Sequence, residues 1–231
     1  MIAVETVRDT IRTARRTRTA VDAPPARLTV EQAYQVQREV FGQARVGWKL
    51  GLVSRAKQEQ MGMSEPIRGH LGQSDLLRAP ATVRLDRFIQ PRIEPELAAV
   101  LGADVPPGTD ARRAADAVEK YVLALDVLDS VWRAYRFTIA DVIADNASGG
   151  AAVVAGEAVT PGPLQLFVDD EPAGAGELDP AGPHLAWLAG EVGGLRAGEV
   201  VLLGSPTAAV PARRGEVRVR GGGRDLLVTI S

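Results

Sequence analysis

Pro91-Arg92-Ile93-Glu94-Pro95-Glu96-Leu97-Ala98-Ala99-Val100-Leu101 is the stretch on which the reading of this chain turns. Two carboxylates stand two positions apart in an otherwise apolar run. In an extended chain side chains alternate with period two, so Glu94 and Glu96 leave the same face. Like charges held that close repel unless a positive charge lies between them, and glutamates are seldom buried for packing. A hard divalent cation resolves the conflict, because Mg²⁺ takes carboxylate oxygens together with water and substrate oxygens. The competing reading is an edge strand whose polar side faces water. Pro95 favours that alternative, since proline lacks the ladder donor.

The chain as a whole sets bounds on function. Its 231 residues suffice for a sizeable core. With 29 acidic and 27 basic residues the net charge is −2, which argues against a nucleic-acid partner. The run Arg12, Arg15, Arg16, Arg18 lies in a helical segment, where a basic cluster is ordinarily a solvated face. The absence of cysteine excludes disulfides, thiolate catalysis and zinc–thiolate sites. No apolar run reaches membrane-spanning length and the start lacks a signal-peptide core, so a soluble, cytoplasmic protein without a membrane partner is expected.

Helical spacing of Val4, Val7, Ile11 and Ala14 predicts a helix over 4–19, and Thr29 reads as the N-cap of a second ending near Phe41. Val46 to Val53 is a strand candidate, Gly62 to Gly72 a loop, and a short strand falls near 82–85. Asp110 caps a helix reaching about Lys120, and Tyr121 to Leu128 is a second apolar strand. Ala151 to Val154, Leu164 to Val168 and Val200 to Leu203 read as short strands, and Glu171 to Gly182 as a loop. A helix from about Pro183 stops at Gly193, and the alternating end of the chain is a hairpin turning at 221–223. Many short strands with few internal helices argue for a mixed, strand-rich α+β fold.

Asp126 interrupts the second apolar strand, where an isolated carboxylate is costly to bury. A third oxygen ligand beside Glu94 and Glu96 would explain it, as would an exposed strand face. Lys49, flanked by Gly47 and Gly51, is either a snorkelling surface amine or a partner for an anionic ligand.

Five collinear segments together resemble one family. G-W-K-L-G-L-V-S-R-A-K-Q-E-Q-M-G (47–62) and R-I-E-P-E-L-A-A-V-L-G (92–102) are similar to its lysine segment and its E-x-E metal strand. A-L-D-V-L-D-S (124–130), I-A-D-V-I-A-D-N-A-S-G-G (139–150) and the G-A-G, H-L-A-W-L-A and G-E-V-V-L-L-G-S order near the end follow. The family is that of the 2-keto-4-pentenoate hydratases and 4-oxalocrotonate decarboxylases, within the fumarylacetoacetate hydrolase superfamily. The resemblance implies a mixed β-roll or barrel core of the superfamily's C-terminal-domain type with flanking helices. Residues 1–75 would form a helical cap and first core strand, packed on a catalytic region 76–231 as one continuous unit. It implies Mg²⁺ or Mn²⁺ held by Glu94, Glu96 and Asp126, with Lys49 as the active-site lysine. Asp75 and His70 are the further catalytic candidates, and Ser54, Asn146 and Ser148 the substrate-binding ones.

The activity implied is hydration of a short 2-oxo-4-enoic acid, of the 2-hydroxypenta-2,4-dienoate type, through an enolate that the cation stabilises. Decarboxylation of a 2-oxo dioate, C–C hydrolysis or acylpyruvate cleavage, and a non-catalytic partner subunit are the alternatives. A dioate needs a positive partner for its second carboxylate, for which Arg45, Arg55, Lys57 and Arg68 are candidates. A homo-oligomer is expected, with possible association with a neighbouring pathway enzyme. Three departures stand out. In Gly69-His70-Leu71-Gly72-Gln73-Ser74-Asp75 the aspartate comes one position late, Val131 replaces an arginine, and the family's G-H-P turn appears as Gly182-Pro183-His184. His70 is placed in a mobile loop, where a histidine would titrate near neutrality.

Overall fold

The carboxylate-bearing run is a central strand, not an edge. The structure, a computed structural model, describes residues 2–25, 27–42 and 45–231, without the side chains of Ile2, Ala56, Lys57 and Gln60. Helices α1 (Ile2–Thr17) and α2 (Val30–Phe41) precede β1 (Arg45–Gly51), α3 (Arg55–Gln60), β2 (Ile67–Gly72), β3 (Leu76–Arg78) and β4 (Ala81–Val83). The long strands β5 (Arg92–Leu101) and β6 (Val118–Leu128) are separated by α4 (Ala111–Asp116). Then come α5 (Ile139–Ala144), β7 (Gly149–Val159), β8 (Leu164–Val168), β9 (Glu171–Gly176) and α6 (Ala181–Val192). The chain closes with β10 (Val200–Leu202), β11 (Val210–Pro211), β12 (Gly215–Gly221) and β13 (Arg224–Ile230).

An eight-stranded sheet runs β2-β1-β10-β5-β6-β7-β3, with β11 also paired to β5, and curls into a half-barrel. A five-stranded sheet runs β4-β13-β12-β8-β9. Pro95 finds its place because β10 pairs with β5 only over Val100 to Ala98, and β11 only over Ile93 and Arg92. Its missing N–H falls in the gap between those two partners, so the edge-strand alternative does not hold.

Period two then divides the sheet chemically. Ile93, Leu97, Ala99 and Leu101 of β5, with Leu123, Leu125 and Val127 of β6, join a core shared with the five-stranded sheet and α6. The opposite face carries Ala98, Val122, Ala124, Ala152, Val154, Val200 and Leu202, and with them the carboxylates. A third cluster, from α1, α2 and α5 with Trp132, forms a separate helical layer.

Where the sequence reading differs, the causes are local. The run Ile67–Gly72, taken as loop because of its glycines, is β2, hydrogen-bonded along β1. Glu171–Gly176 pairs with β8 despite lacking β-branched residues. The helix capped by Asp110 ends at Asp116, because Val118 already begins β6. Thr29 forms the expected cap, completed into a capping box by Gln32. Gly47 is required by close strand packing: a Cβ there would lie 2.0 Å from the Val200 carbonyl oxygen.

The helical layer is fastened by charge as well as by its apolar stripe. Arg15 of α1 donates to Asp129 Oδ2 at 3.1 Å and to Asp145 Oδ1 at 2.6 Å. Burial pushes both carboxyl groups up, and the Arg15 charge opposes that rise. Removing one member of a buried ion network leaves its partners uncompensated, at a cost of about 3–5 kcal/mol. Arg15→Met is therefore expected to lower the melting temperature by roughly 10 °C for a chain of this size. Arg15→Lys, which cannot bridge both carboxylates with one ammonium, should fall between. A melting curve unchanged in Arg15→Met would show that the network does not hold the layer in place.

Candidate metal centre and active site

Glu94 and Asp126 face each other across the β5–β6 ladder, and Glu96 lies two positions along on the same side. One oxygen from each of these carboxylates lies within 4.8 Å of the others. Glu96 and Asp126 are 1 % and 2 % exposed, while Glu94 is half-buried. Lys49 stands two strands away, in register with Leu202 and through it with Ala98, so its side chain leaves the same face. The short side chains of Ala98 and Ala124 leave room for its stem, and Nζ donates to Asp126 Oδ2 at 2.6 Å. Lys49 is itself 2 % exposed, so the snorkelling alternative is excluded.

The electrostatics are unbalanced. Three carboxylates meet one ammonium, and burial, then the Asp126 charge, pushes the Glu96 carboxyl well above its usual range. Lys49 and the backbone N–H of Gly204, which donates to Glu96 Oε2 at 2.9 Å, oppose that rise. Asp126 Oδ1 is buried and has no hydrogen-bond partner. A buried acceptor left bare costs about 1–3 kcal/mol. An all-oxygen set with an unpartnered anionic oxygen suits a hard divalent cation, so the residues fit the metal that the sequence led us to expect.

A cavity of about 340 Å³ opens beside this cluster, walled by Lys49, Asp126, His70, Asp75 and Asn146, with Arg12 and Arg15 contributed from α1. Asp75 reaches it despite arriving one residue late. Its carbonyl accepts from Ala152 N at 2.7 Å, and Ser74 Oγ donates to its side chain at 3.1 Å. Asn146, Ala147 and Ser148 all have left-handed φ, between 53° and 57°. That turn aims the Asn146 amide at β2, where it accepts from His70 N at 2.7 Å and donates to His70 O at 2.9 Å. Gly69 makes the approach possible, since a Cβ there would meet the Asn146 carbonyl oxygen at 2.5 Å.

Several expectations need correction or relocation. His70 is on β2, 8 % exposed, with its ring 4.8 Å from Trp48. Burial, then Arg45 and Arg68, lowers its pKa to about 4, so it is a neutral wall of the cavity and not a group titrating near neutrality. Ser54 lies at the start of α3, where its carbonyl accepts from Gln58 N, and is not among the cavity walls. Ser148 is buried, gives its carbonyl to Asp129 N and is not among the cavity walls. Arg45 packs over Trp48 and pairs with Glu199, and Arg68 packs over Tyr34 beside Glu191. Arg55 pairs with Glu59. The Lys57 side chain lies outside the described residues. None of the described three lines the cavity. The arginines that do, Arg12 and Arg15, had been read as a solvated helical face.

A family model described as fumarylacetoacetate (FAA) hydrolase C-terminal matches residues 49–224. A 4-oxalocrotonate decarboxylase from a Pseudomonas species is 33 % identical over 221 residues, covering 81 % of each chain. A 2-hydroxyhexa-2,4-dienoate hydratase from Comamonas testosteroni is 32 % identical over 90 % of this chain and 88 % of its own. The solved structure of 4-oxalocrotonate decarboxylase from Pseudomonas putida G7, complexed with magnesium and adipate, superposes with a TM-score of 0.90 at 25 % identity. That superposition covers 99 % of this chain and 97 % of the other.

Proposed function

The chain belongs to the fumarylacetoacetate (FAA) hydrolase C-terminal family, and from that premise we propose a divalent-metal-dependent hydratase that adds water to a short 2-oxo-4-enoic acid. The observation that carries the reading is the buried Glu94–Glu96–Asp126 cluster with its bare Asp126 oxygen, facing a small cavity. Those three carboxylates would hold Mg²⁺ or Mn²⁺. When bound, the ion supplies Lewis acidity toward the carboxylate and 2-oxo oxygens of the substrate.

The chain's own groups do the rest. Lys49, desolvated and fixed by its contact with Asp126, offers a positive charge to the developing enolate oxygen or to the substrate carboxylate. Asp75, on the cavity wall, is the carboxylate placed to move a proton between substrate carbon and water. Neutral His70, backed by the Trp48 ring, forms one wall, and the Asn146 clamp keeps β2 in position. Exclusion of bulk water strengthens each of these interactions.

Decarboxylation of a 2-oxo dioate is the second reading, favoured by the close superposition on a decarboxylase and by the arginines of α1 in the cavity wall. The same reading takes the protein to be a cytoplasmic homo-oligomer. The test is turnover of 2-hydroxypenta-2,4-dienoate and 2-oxohex-3-enedioate with Mg²⁺ or Mn²⁺, beside a Glu94→Gln/Glu96→Gln double variant. Loss of dienoate absorbance with formation of 4-hydroxy-2-oxopentanoate, absent in the variant, is the expected result. CO₂ released from the dioate would move the assignment to decarboxylase. No turnover of either, and no metal uptake, would overturn the enzyme reading.

A further inference from the structure

His70 lies with Asp75 in the wall of the cavity beside Lys49 and Asp126. The two nitrogens of its ring have different surroundings. Nδ1 is buried and has no hydrogen-bond partner. Nε2 makes no hydrogen bond among the described residues and is not enclosed, so it is the nitrogen left to face the cavity. The ring is neutral, held so first by burial and then by Arg45, Arg68 and Arg38. A neutral imidazole carries its single proton on one nitrogen, and the other can only accept. Because an orphaned buried N–H is rarer than an under-used acceptor, the proton belongs on Nε2. There it is a donor turned to the ligand.

This donor is also fixed in place. Asn146 grips the His70 main chain twice, accepting from its N–H at 2.7 Å and donating to its carbonyl at 2.9 Å. The ring lies 4.8 Å from that of Trp48, which is packed in turn under Arg45. A hydroxyl group donates one hydrogen bond and accepts others, so it is matched by an acceptor and a donor together. Asp75 supplies the acceptor and His70 the donor in one cavity. We infer that His70, donating from Nε2, is the specificity-determining residue for the hydroxyl that hydration leaves on carbon 4 of the acid. This rests on the hydratase reading given above and adds to it the group that recognises the new oxygen. The proton stays on Nε2 throughout: His70 orients the oxygen, and Asp75 alone carries a proton.

The test uses 4-hydroxy-2-oxopentanoate and 2-oxopentanoate, which differ only in that hydroxyl, titrated calorimetrically into the Mn²⁺-loaded full chain. Wild type is expected to bind the hydroxylated acid about three- to tenfold more tightly, the range of an uncharged hydrogen bond. His70→Phe keeps a ring against Trp48 and spares the Asn146 clamp, which uses only main-chain atoms of residue 70. It should bring the ratio of the two affinities close to one. His70→Gln, which returns an uncharged N–H, should restore part of the preference. A general loosening of the site would weaken both ligands and cancel in the ratio. Equal binding of the two acids by wild type, a preference that survives His70→Phe, or a His70→Gln protein no more selective than His70→Phe would each overturn the inference, while turnover of the dienoate would leave the hydratase reading intact. Binding of neither acid would overturn the inference too, and with it the hydratase reading if the dienoate is not turned over.

Discussion

Asp126→Asn is expected to lower turnover by about a thousandfold or more, since it removes several kcal/mol of charge stabilisation at about 1.4 kcal/mol per tenfold. The change is isosteric, so the strand and its partners stay in place. What disappears is the only anionic oxygen of the cluster that is buried and bare, together with the charge that holds Lys49. The direct readout is the metal-induced rise in melting temperature, which follows from any ligand that binds the folded chain alone. Wild type should show it with Mn²⁺ and Asp126→Asn should not. Metal uptake by wild type should also release protons and weaken as pH falls, because Glu96 is held above the usual carboxylate range and must ionise to bind. Full turnover in Asp126→Asn would place the metal elsewhere.

Lys49→Met should separate a structural from a catalytic lysine. Methionine keeps the length and accepts burial. In the metal-free protein the substitution leaves Asp126 and Glu96 without their nearest cation, and a loss of about 3–5 kcal/mol is expected. Added Mn²⁺ should then stabilise the variant more than wild type, because both Asp126 oxygens have become available. If Lys49 only balances charge, activity returns with the restored melting temperature. If it acts on substrate, kcat stays about 100- to 1000-fold down in the metal-loaded variant, the size typical for loss of one charge-stabilising donor. We expect the second outcome.

The site was legible in the sequence to the extent that it broke local rules. Glu94, Glu96, Asp126 and Lys49 each put a charge into an apolar strand, and the structure brings all of them to one cluster. Asp75 also reached the cavity, although its spacing departed from the family pattern. The readings that failed lacked such a conflict. Ile67–Gly72 contains four residues that favour turns or water, Arg68, Gly69, His70 and Gly72, and only pairing with β1 makes it a strand. Helix α1 hid its role because a basic run is usually solvated. One signal was available: Arg15 follows Ile11 by four residues, where the apolar stripe of Val4, Val7, Ile11 and Ala14 calls for a buried side chain. Nothing comparable marked Arg12, which reaches the cavity wall from the exposed side of α1.

The alternation along β5 and β6 has a consequence for how such a protein can diversify. Both faces of these strands are occupied, one by leucine, isoleucine and valine and the other by the carboxylates. A slip of one residue would exchange them, driving charge into the shared core and apolar side chains into the cavity. The reacting centre is thus inherited as a block that tolerates almost no partial revision. The wall contributed by α1 is different: Arg12 lies on the exposed surface of that helix and lines the cavity, so it can be exchanged with little effect on folding. Change in such a protein is expected to begin in that helical wall, with the strands beneath left as they are.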